Sequence, residues 1–288
     1  MLQSLYRKYP SKSGRMFSVF TGRMLRHTQW ATAGFDTAQT LNMIEAWATS
    51  LSYTFQLYFD FSGYTDMALG VALLFNIRLP INFNSPYKAL NIQDFWRRWH
   101  ITLSRFLRDY IYIPLGGNRN GELHTYANLF TVFVLGGLWH GASWMFIVWG
   151  ALHGTAIVLH RLWQSLGFTM NKFLAWFITF NFINITWIFF RAKEWQDAVT
   201  ILKGMLGIHY VPIIHIHKVK ELFPSIGMSS YTLPFIIAAF IITLTLKNTT
   251  SINHNFHPDR YKLIAIILMF VYAVLNLSNI TEFLYFNF

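Results

Sequence analysis

The run "VLGGLWHGASWMFIVWGALHG", Val134 to Gly154, decides the fold class because it is a membrane-like stretch with an ionisable side chain near its middle. That side chain is His140, and glycines at positions 136, 137 and 141 weaken a continuous helix there. Irregular backbone at membrane depth persists only where it is packed in protein or lines a cavity. The run therefore predicts membrane helices that break at a histidine.

The depth of His140 indicates a function. A helix that enters the membrane at Tyr126 carries His140 roughly 20 Å inward at about 1.5 Å per residue. That position is past the middle of a hydrocarbon core about 30 Å thick. An ionisable residue inside a membrane is a functional candidate by default. The alternative is a histidine that only hydrogen-bonds neighbouring helices together.

Composition extends this interpretation to the whole chain. Of 288 residues, 54% are hydrophobic and only 12% are charged, whereas a soluble domain carries about 25% charged residues. Several apolar runs approach the roughly 20 residues that a membrane helix needs. The sequence thus predicts an all-α, polytopic transmembrane protein with re-entrant or interfacial helices. The candidate spans are Leu41 to Phe59, Tyr64 to Leu79, Tyr126 to Leu162 with an internal break, Lys172 to Phe190, Tyr231 to Leu246, and Tyr261 to Ile280.

The distribution of positive charge predicts topology. The net charge is +11, and basic residues cluster before the first span and between the second and third spans. Short loops rich in Lys and Arg face the cytoplasm, so residues 1–40 form a polar, basic, cytoplasmic segment and residues 41–288 form the membrane domain. The first two spans then go out and return through a tight turn near Phe61, Ser62 and Gly63. Because the basic residues adjoin spans, nucleic acid is not an expected partner.

The region from Asn82 to Gly121 is too charged to cross lipid alone and too aromatic for a free loop. Asn91 or Asp94 can cap one helix whose apolar positions recur at helical spacing through Tyr110. Its arginines at 97, 98, 105 and 108 are partly segregated from the apolar face. This pattern is typical of an interfacial or re-entrant helix with arginines at the level of the lipid headgroups.

Other polar residues are weaker candidates. His100 suits either a chemical or a capping role, and Asp60 with Asp66 suits either a polar vestibule or a turn with a helix cap. His153 and His160 fit structural hydrogen bonding. No metal site is predicted, because His215, His217, His254 and His257 lack further ligands at zinc spacing. With no cysteine in the chain, disulfides and thiolate chemistry are excluded.

Four ordered motifs resemble the membrane-bound O-acyltransferase family, in its alginate O-acetyltransferase branch. They are "YFDFSGYTDMALG", "NFNSPY", "DFWRRWHITLSRFLRDYIYIPLGGNRNG" and "GLWHGASWMFIVWGALHG". The resemblance implies a many-helix membrane fold with a funnel that a histidine closes near mid-membrane. The family's invariant histidine corresponds to His140, and its second histidine corresponds to His100.

The resemblance also implies a reaction. We expect transfer of an acetyl group from acetyl-CoA or an acylated carrier, across the bacterial inner membrane, to a hydroxyl of an extracytoplasmic polysaccharide. His140 is the expected base and His100 a donor-side group, with Arg97, Arg98 and Arg105 suited to a phosphate-bearing donor. Trp139 and Trp144 are expected tunnel walls. Expected partners are membrane lipid, a periplasmic SGNH-type acetyltransferase, polysaccharide export proteins and the acceptor polysaccharide.

Length qualifies this expectation, because members of this family are longer and carry more spans before the "FDFSGY" motif. The sequence therefore resembles the C-terminal portion of such an enzyme. Two alternatives stay open: an inactive or partner-dependent fragment, and a membrane protein that conducts a solute or a proton along Asp60, Asp66 and His140.

Overall fold

The computed structural model describes residues 34–36, 40–208 and 232–249, with isolated positions between 260 and 271. The described residues form helices joined by short turns and, over residues 75–91, by a longer irregular segment, and they contain no strand. The helices are α1 Met43–Leu74, α2 Ile92–Arg98, α3 Ile101–Leu107, α4 Glu122–His140, α5 Trp144–Ser165, α6 Lys172–Arg191, α7 Trp195–Met205 and α8 Thr232–Thr245. A 3-10 turn, Pro86–Lys88, precedes α2, and a π-helical turn, Arg108–Tyr112, follows α3. The all-helical prediction is confirmed for these residues.

Two helices among the described residues, α5 and α6, are long and apolar enough to cross a membrane, and α8 is a shorter apolar helix. They correspond to three of the predicted spans. The predicted span from Tyr261 to Ile280 lies largely outside the described residues, as do His215, His217, His254 and His257 and residues 1–33 of the basic N-terminal segment. Their predicted roles stay predictions.

Helix α1 corrects the predicted turn near Phe61, Ser62 and Gly63. The chain runs through these residues as one helix of 32 residues, about 48 Å long at 1.5 Å per residue. The hydroxyl of Thr65 donates to the carbonyl of Ser62 at 2.9 Å, so this polar stretch is satisfied inside the helix. Asp66 therefore lies within α1 and does not start a helix. The true start is Asn42, which accepts from the Glu45 amide in a capping box.

The single helix predicted across residues 91–110 is also wrong, because it breaks at His100. Asn91 caps α2 as predicted, by accepting from the Asp94 amide at 2.7 Å. At Trp99 the backbone becomes extended, and His100 adopts the left-handed conformation, with φ +42°. That conformation is uncommon for a residue other than glycine and is maintained only by its surroundings. The break separates α2 from α3 and places His100 at the junction.

Helices α4 and α5 pack as a close antiparallel hairpin around residues 141–143, which confirms the predicted break after His140. Glycines allow the contact: Gly137 lies against the carbonyl of Phe146, and Gly150 against the carbonyl of Phe133. Small residues at such crossings let membrane helices approach closely. His140 ends α4, about 27 Å from Glu122 along the helix axis.

Helix α6 packs against both α1 and α5 and joins them into one core. The side-chain carbonyl of Asn184, fully buried on α6, accepts from the α1 hydroxyls of Ser50 at 3.0 Å and Thr54 at 2.7 Å. After α6, residues 195–205 form α7. Its buried Ala198 and Ile201 cover the first half of α1.

Candidate active site

His100 and His140 line one small cavity inside the bundle, although 40 positions separate them in the sequence. Its volume is about 20 Å³. Aromatic and aliphatic side chains from α1, α2, α3, α5 and α6 complete the lining. They are Leu57, Phe61, Trp96, Trp99, Leu103, Trp149, Trp187 and Phe190. The two histidines that the sequence singled out are therefore brought together by the fold.

His100 has a defined orientation because Asn82 anchors it. Nδ1 of His100 lies 3.1 Å from the side-chain oxygen of Asn82, which also accepts from the Thr102 amide and hydroxyl. An amide oxygen only accepts, so His100 must carry its proton on Nδ1. Its Nε2 then holds a lone pair. Asn82 belongs to the motif "NFNSPY", but no local sequence pattern reveals its contact with a histidine 18 positions away.

The ring of His140 is held by aromatic rings. Its centroid lies 4.9 Å from that of Phe190 and 5.4 Å from that of Trp149, both in nearly perpendicular geometry. Edge-to-face contacts of this kind are favourable and fix ring orientation. The position next to the turn between α4 and α5 thus combines a reactive side chain with rigid walls.

A buried hydrogen bond ties two of those walls together. Trp96 on α2 donates its indole N–H to Nδ1 of His153 on α5, at 3.1 Å. His153 is fully buried, and its ring packs 4.8 Å from the centroid of Trp149. This confirms the structural role predicted for His153. It also shows that His153 positions the wall of the histidine cavity.

The other predicted site residues lie elsewhere. Trp139 and Trp144 are 59% and 76% exposed and do not line this cavity, so their expected role as tunnel walls stays a prediction. Arg97 and Arg105 are exposed. Arg98 is engaged, since its Nε bonds to Asp94 at 2.8 Å and its Nη1 donates to the carbonyl of Asn84.

The two predicted vestibule carboxylates are separated in the structure. Asp66 lines a second cavity of about 60 Å³, between α1, the segment before α2 and the end of α8. Asp60 lines neither cavity and is hydrogen-bonded to Gln56 one turn earlier. Asp66 and His140 therefore line different cavities, and Asp60 lines neither of them.

Basic residues cluster at one end of the bundle. This end holds the C-terminus of α1 and the N-termini of α4 and α6, with Arg78, Arg119 and Lys172 beside them. The opposite end holds the turn after His140 and an ion pair in which Arg191 bonds to Asp36 at 2.8 Å.

A membrane helical bundle with paired histidines in an apolar cavity is the arrangement expected of a membrane-embedded acyltransferase. Residues 17–193 match the model of the membrane-bound O-acyltransferase family, and the chain belongs to that family. The resemblance inferred from the four motifs is thereby confirmed.

Three named relatives are similar to this chain over part of their own length. Over 279 residues the chain is 52% identical to the peptidoglycan O-acetyltransferase of Helicobacter pylori, covering 90% of this chain and 52% of that protein. It is 42% identical over 197 residues to the "Probable alginate O-acetylase AlgI" of Pseudomonas aeruginosa, covering 68% of this chain and 38% of that protein. It is 33% identical over 164 residues to the teichoic acid D-alanyltransferase of Streptococcus thermophilus, covering 48% of this chain and 39% of that protein. The chain thus spans about half the length, or less, of these relatives.

Proposed function

We propose that this protein transfers an acetyl group from a cytoplasmic thioester donor to a hydroxyl group of an extracytoplasmic polysaccharide, or to a periplasmic partner that passes the acetyl group on. The single observation that supports this most directly is the cavity shared by His100 and His140. Family membership supports acyl transfer as the reaction class. We also propose that it is a multi-pass protein of the bacterial inner membrane.

The chemistry needs one base and a path for one proton. In the proposed reaction, the acceptor oxygen attacks the carbonyl carbon of the thioester, a C–O bond forms and the C–S bond breaks. His140 takes the hydroxyl proton and returns it to the departing thiolate, so no further acid or base is consumed. His100, held by Asn82 through Nδ1, accepts a hydrogen bond from a substrate group at Nε2 of its neutral ring.

The position of His140 suits transfer between two sides of a membrane. It ends α4, about 27 Å along the helix axis from Glu122 at the N-terminus of that helix. In this proposal, a donor from the cytoplasm and an acceptor from outside meet at the cavity that His140 shares with His100. The exposed guanidinium groups of Arg97 and Arg105 suit the phosphates of acetyl-CoA or of an acylated carrier.

For the acceptor we propose peptidoglycan first. The relative named for peptidoglycan is 52% identical over 90% of the chain, whereas the relative named for alginate is 42% identical over 68%. Because both names describe glycan O-acetylation, an alginate-like polymer is the second candidate. A periplasmic SGNH-type acetyltransferase and polysaccharide export proteins remain proposed partners.

The test compares O-acetyl groups in purified peptidoglycan and secreted polysaccharide from three strains. One carries the gene at its own locus, one lacks it, and one carries His140→Ala. We expect loss of ester-linked acetate in the deletion and in His140→Ala, with membrane levels of the variant unchanged by immunoblot. His124→Ala is the matched control, because His124 is exposed in the first turn of α4 and lines neither cavity. Equal amounts of ester-linked acetate in all three strains would contradict the proposed function.

A further inference from the structure

Trp149, on α5, carries a buried hydrogen-bond donor that the fold leaves without an acceptor. The side chain is 2% exposed, it lines the histidine cavity, and its indole nitrogen has no hydrogen-bond partner among the described residues. An indole N–H can only donate. Because buried polar groups in native proteins are nearly always paired, an unpaired one needs an explanation, and a catalytic role is one of the few available.

Other buried indoles of the bundle find their acceptors within the protein. Trp47 donates to the carbonyl of Met205 at 3.1 Å, and Trp176 donates to the carbonyl of Tyr87 at 2.9 Å. The indole of Trp187, which also lines the cavity, lacks an acceptor in good geometry but interacts with the hydroxyl of Tyr87. Where an indole has a structural role, this fold therefore supplies a group for it to meet.

The side chains packed around Trp149 cannot accept its hydrogen bond. Its ring stacks on that of Trp187 at a centroid distance of 5.9 Å and lies 5.2 Å from that of Phe190, and neither side chain has an acceptor atom. The ring of His153 lies 4.8 Å away, but its Nδ1 already accepts from Trp96, so its Nε2 carries the proton of the neutral ring. These neighbours fix the indole ring without satisfying its N–H.

The cavity beside this donor has room for one oxygen atom of a substrate. Its volume of about 20 Å³ exceeds the roughly 10 to 15 Å³ that a water-sized group needs. His140 lines the same space, with its ring 5.4 Å from that of Trp149 and nearly perpendicular to it. The proposed chemistry uses His140 as the base and Nε2 of His100 as a hydrogen-bond acceptor. It therefore leaves the acyl carbonyl oxygen without a donor.

We infer that the indole N–H of Trp149 is a catalytic hydrogen-bond donor to the carbonyl oxygen of the transferred acyl group. This assignment rests on the proposed acyl transfer. When the acceptor oxygen attacks, a C–O bond forms and the π electrons of the carbonyl move onto its oxygen. Collapse restores the C=O bond and breaks the C–S bond, and the indole keeps its proton throughout. A donor held rigidly in an apolar site stabilises the charge on that oxygen without reorganisation.

The test removes the donor while keeping the shape of the side chain. Position 149 receives 3-benzothienylalanine, in which sulfur replaces the indole N–H, and Trp149→Phe is a second variant. Inverted membrane vesicles from cells that carry the complete protein receive acetyl-CoA and a peptidoglycan fragment, and initial rates give kcat and KM. The matched control is 3-benzothienylalanine at position 176, because the N–H of Trp176 has a protein acceptor and this residue lines neither cavity.

We expect 3-benzothienylalanine at position 149 to lower kcat by about 100-fold or more, and Trp149→Phe to lower it at least as much. The KM for acetyl-CoA should change by no more than about twofold, because the bond to the charged oxygen strengthens only in the transition state. The melting temperature in detergent should not fall at position 149, since the lost donor has no acceptor in the resting protein. At position 176 the pattern should reverse, with a lower melting temperature and a kcat close to that of the parent.

Three results would overturn the assignment and leave the proposed function standing. They are an unchanged kcat at position 149, a loss of kcat accompanied by a lower melting temperature there, and an equal loss of kcat at both positions. A displaced pH profile of kcat would also overturn it, because the N–H would then act on His140 and not on the substrate. If vesicles with the parent protein transferred no more acetyl groups than vesicles without it, the proposed function would fail and this inference with it.

Discussion

The side-chain oxygen of Asn82 lies 3.1 Å from Nδ1 of His100 and thereby decides which nitrogen of that ring is free. The same oxygen accepts from the amide and the hydroxyl of Thr102, so one side chain holds both the ring and the left-handed turn beneath it. Asn82 is therefore a positioning residue for the histidine cavity.

Asn82→Ala should lower acetyl transfer by about 10- to 100-fold, because leaving buried hydrogen-bond partners unsatisfied costs about 1 to 3 kcal/mol. Asn82→Asp keeps an acceptor oxygen and should retain more activity than Asn82→Ala. The measurement is ester-linked acetate per unit of membrane protein. If both variants matched the parent protein, the contact would have no role in positioning His100.

The bond between Trp96 and His153 should show strong coupling in a double-mutant cycle. His153→Leu leaves the buried indole N–H of Trp96 without its acceptor and should destabilise by about 1 to 3 kcal/mol. Adding Trp96→Phe removes the orphaned donor, so the double variant should lose less than the sum of the single losses. Thermal unfolding in detergent measures all four proteins. Strict additivity would show that the two side chains are energetically independent.

Two adjacent glycines of α4 should differ sharply in tolerance. A Cβ at Gly137 would run into the carbonyl of Phe146 on α5, whereas a Cβ at Gly136 meets only the flexible end of Leu107 at 3.3 Å. Gly137→Ala should therefore destabilise by about 1 to 3 kcal/mol through overpacking, and Gly136→Ala by much less. Membrane abundance and detergent unfolding check the pair. Equal tolerance would mean that α4 and α5 separate at little cost.

Arg191, the last residue of α6, forms an ion pair with Asp36, and this pair should contribute stability that is lost in acid. Burial alone raises the pKa of Asp36, but the hydrogen bond and charge of Arg191, with the charge of Lys193, outweigh it and hold that pKa below its ordinary value of 3.8. The contribution is therefore complete above the unfolded-state pKa and is lost as the pH falls through the lower folded-state value. Asp36→Asn should be less stable than the parent at neutral pH by about 1 kcal/mol or less. Unfolding in detergent at a series of pH values measures the free energy of unfolding of both proteins. The gap between Asp36→Asn and the parent should shrink in strong acid, and an equal gap at all pH values would contradict the assigned role of the ion pair.

The arginines of α2 should separate into two functions. Arg98→Ala breaks the contacts to Asp94 and to the carbonyl of Asn84, so it should disturb the segment that carries Asn82. Exposed Arg97 lacks that structural role, and Arg97→Ala should weaken donor binding by the roughly 1.5 to 3 kcal/mol of a charge-assisted hydrogen bond. Donor titration in membrane vesicles distinguishes them, with Arg97→Lys as the charge-preserving control. Unchanged apparent donor affinity in Arg97→Ala would exclude phosphate contact there.

The sequence determined the helical membrane class, the break after His140 and the two histidines of interest. Hydrophobic runs and glycine positions are local signals, and the histidines are conspicuous because ionisable residues are rare in apolar segments. The four ordered motifs identified the family because each motif is also a local signal, contained within a short stretch of sequence.

Tertiary structure decided the continuity of α1, the break at His100 and the membership of the cavity. Polar residues such as Ser62 and Thr65 resemble a turn in sequence, yet helix-internal hydrogen bonds satisfy them. Asn82, Trp149 and Phe190 belong to the site through contacts between distant segments, and no local pattern encodes such contacts. Because the left-handed turn at His100 depends on Asn82 and the surrounding rings, only the folded chain makes that conformation favourable.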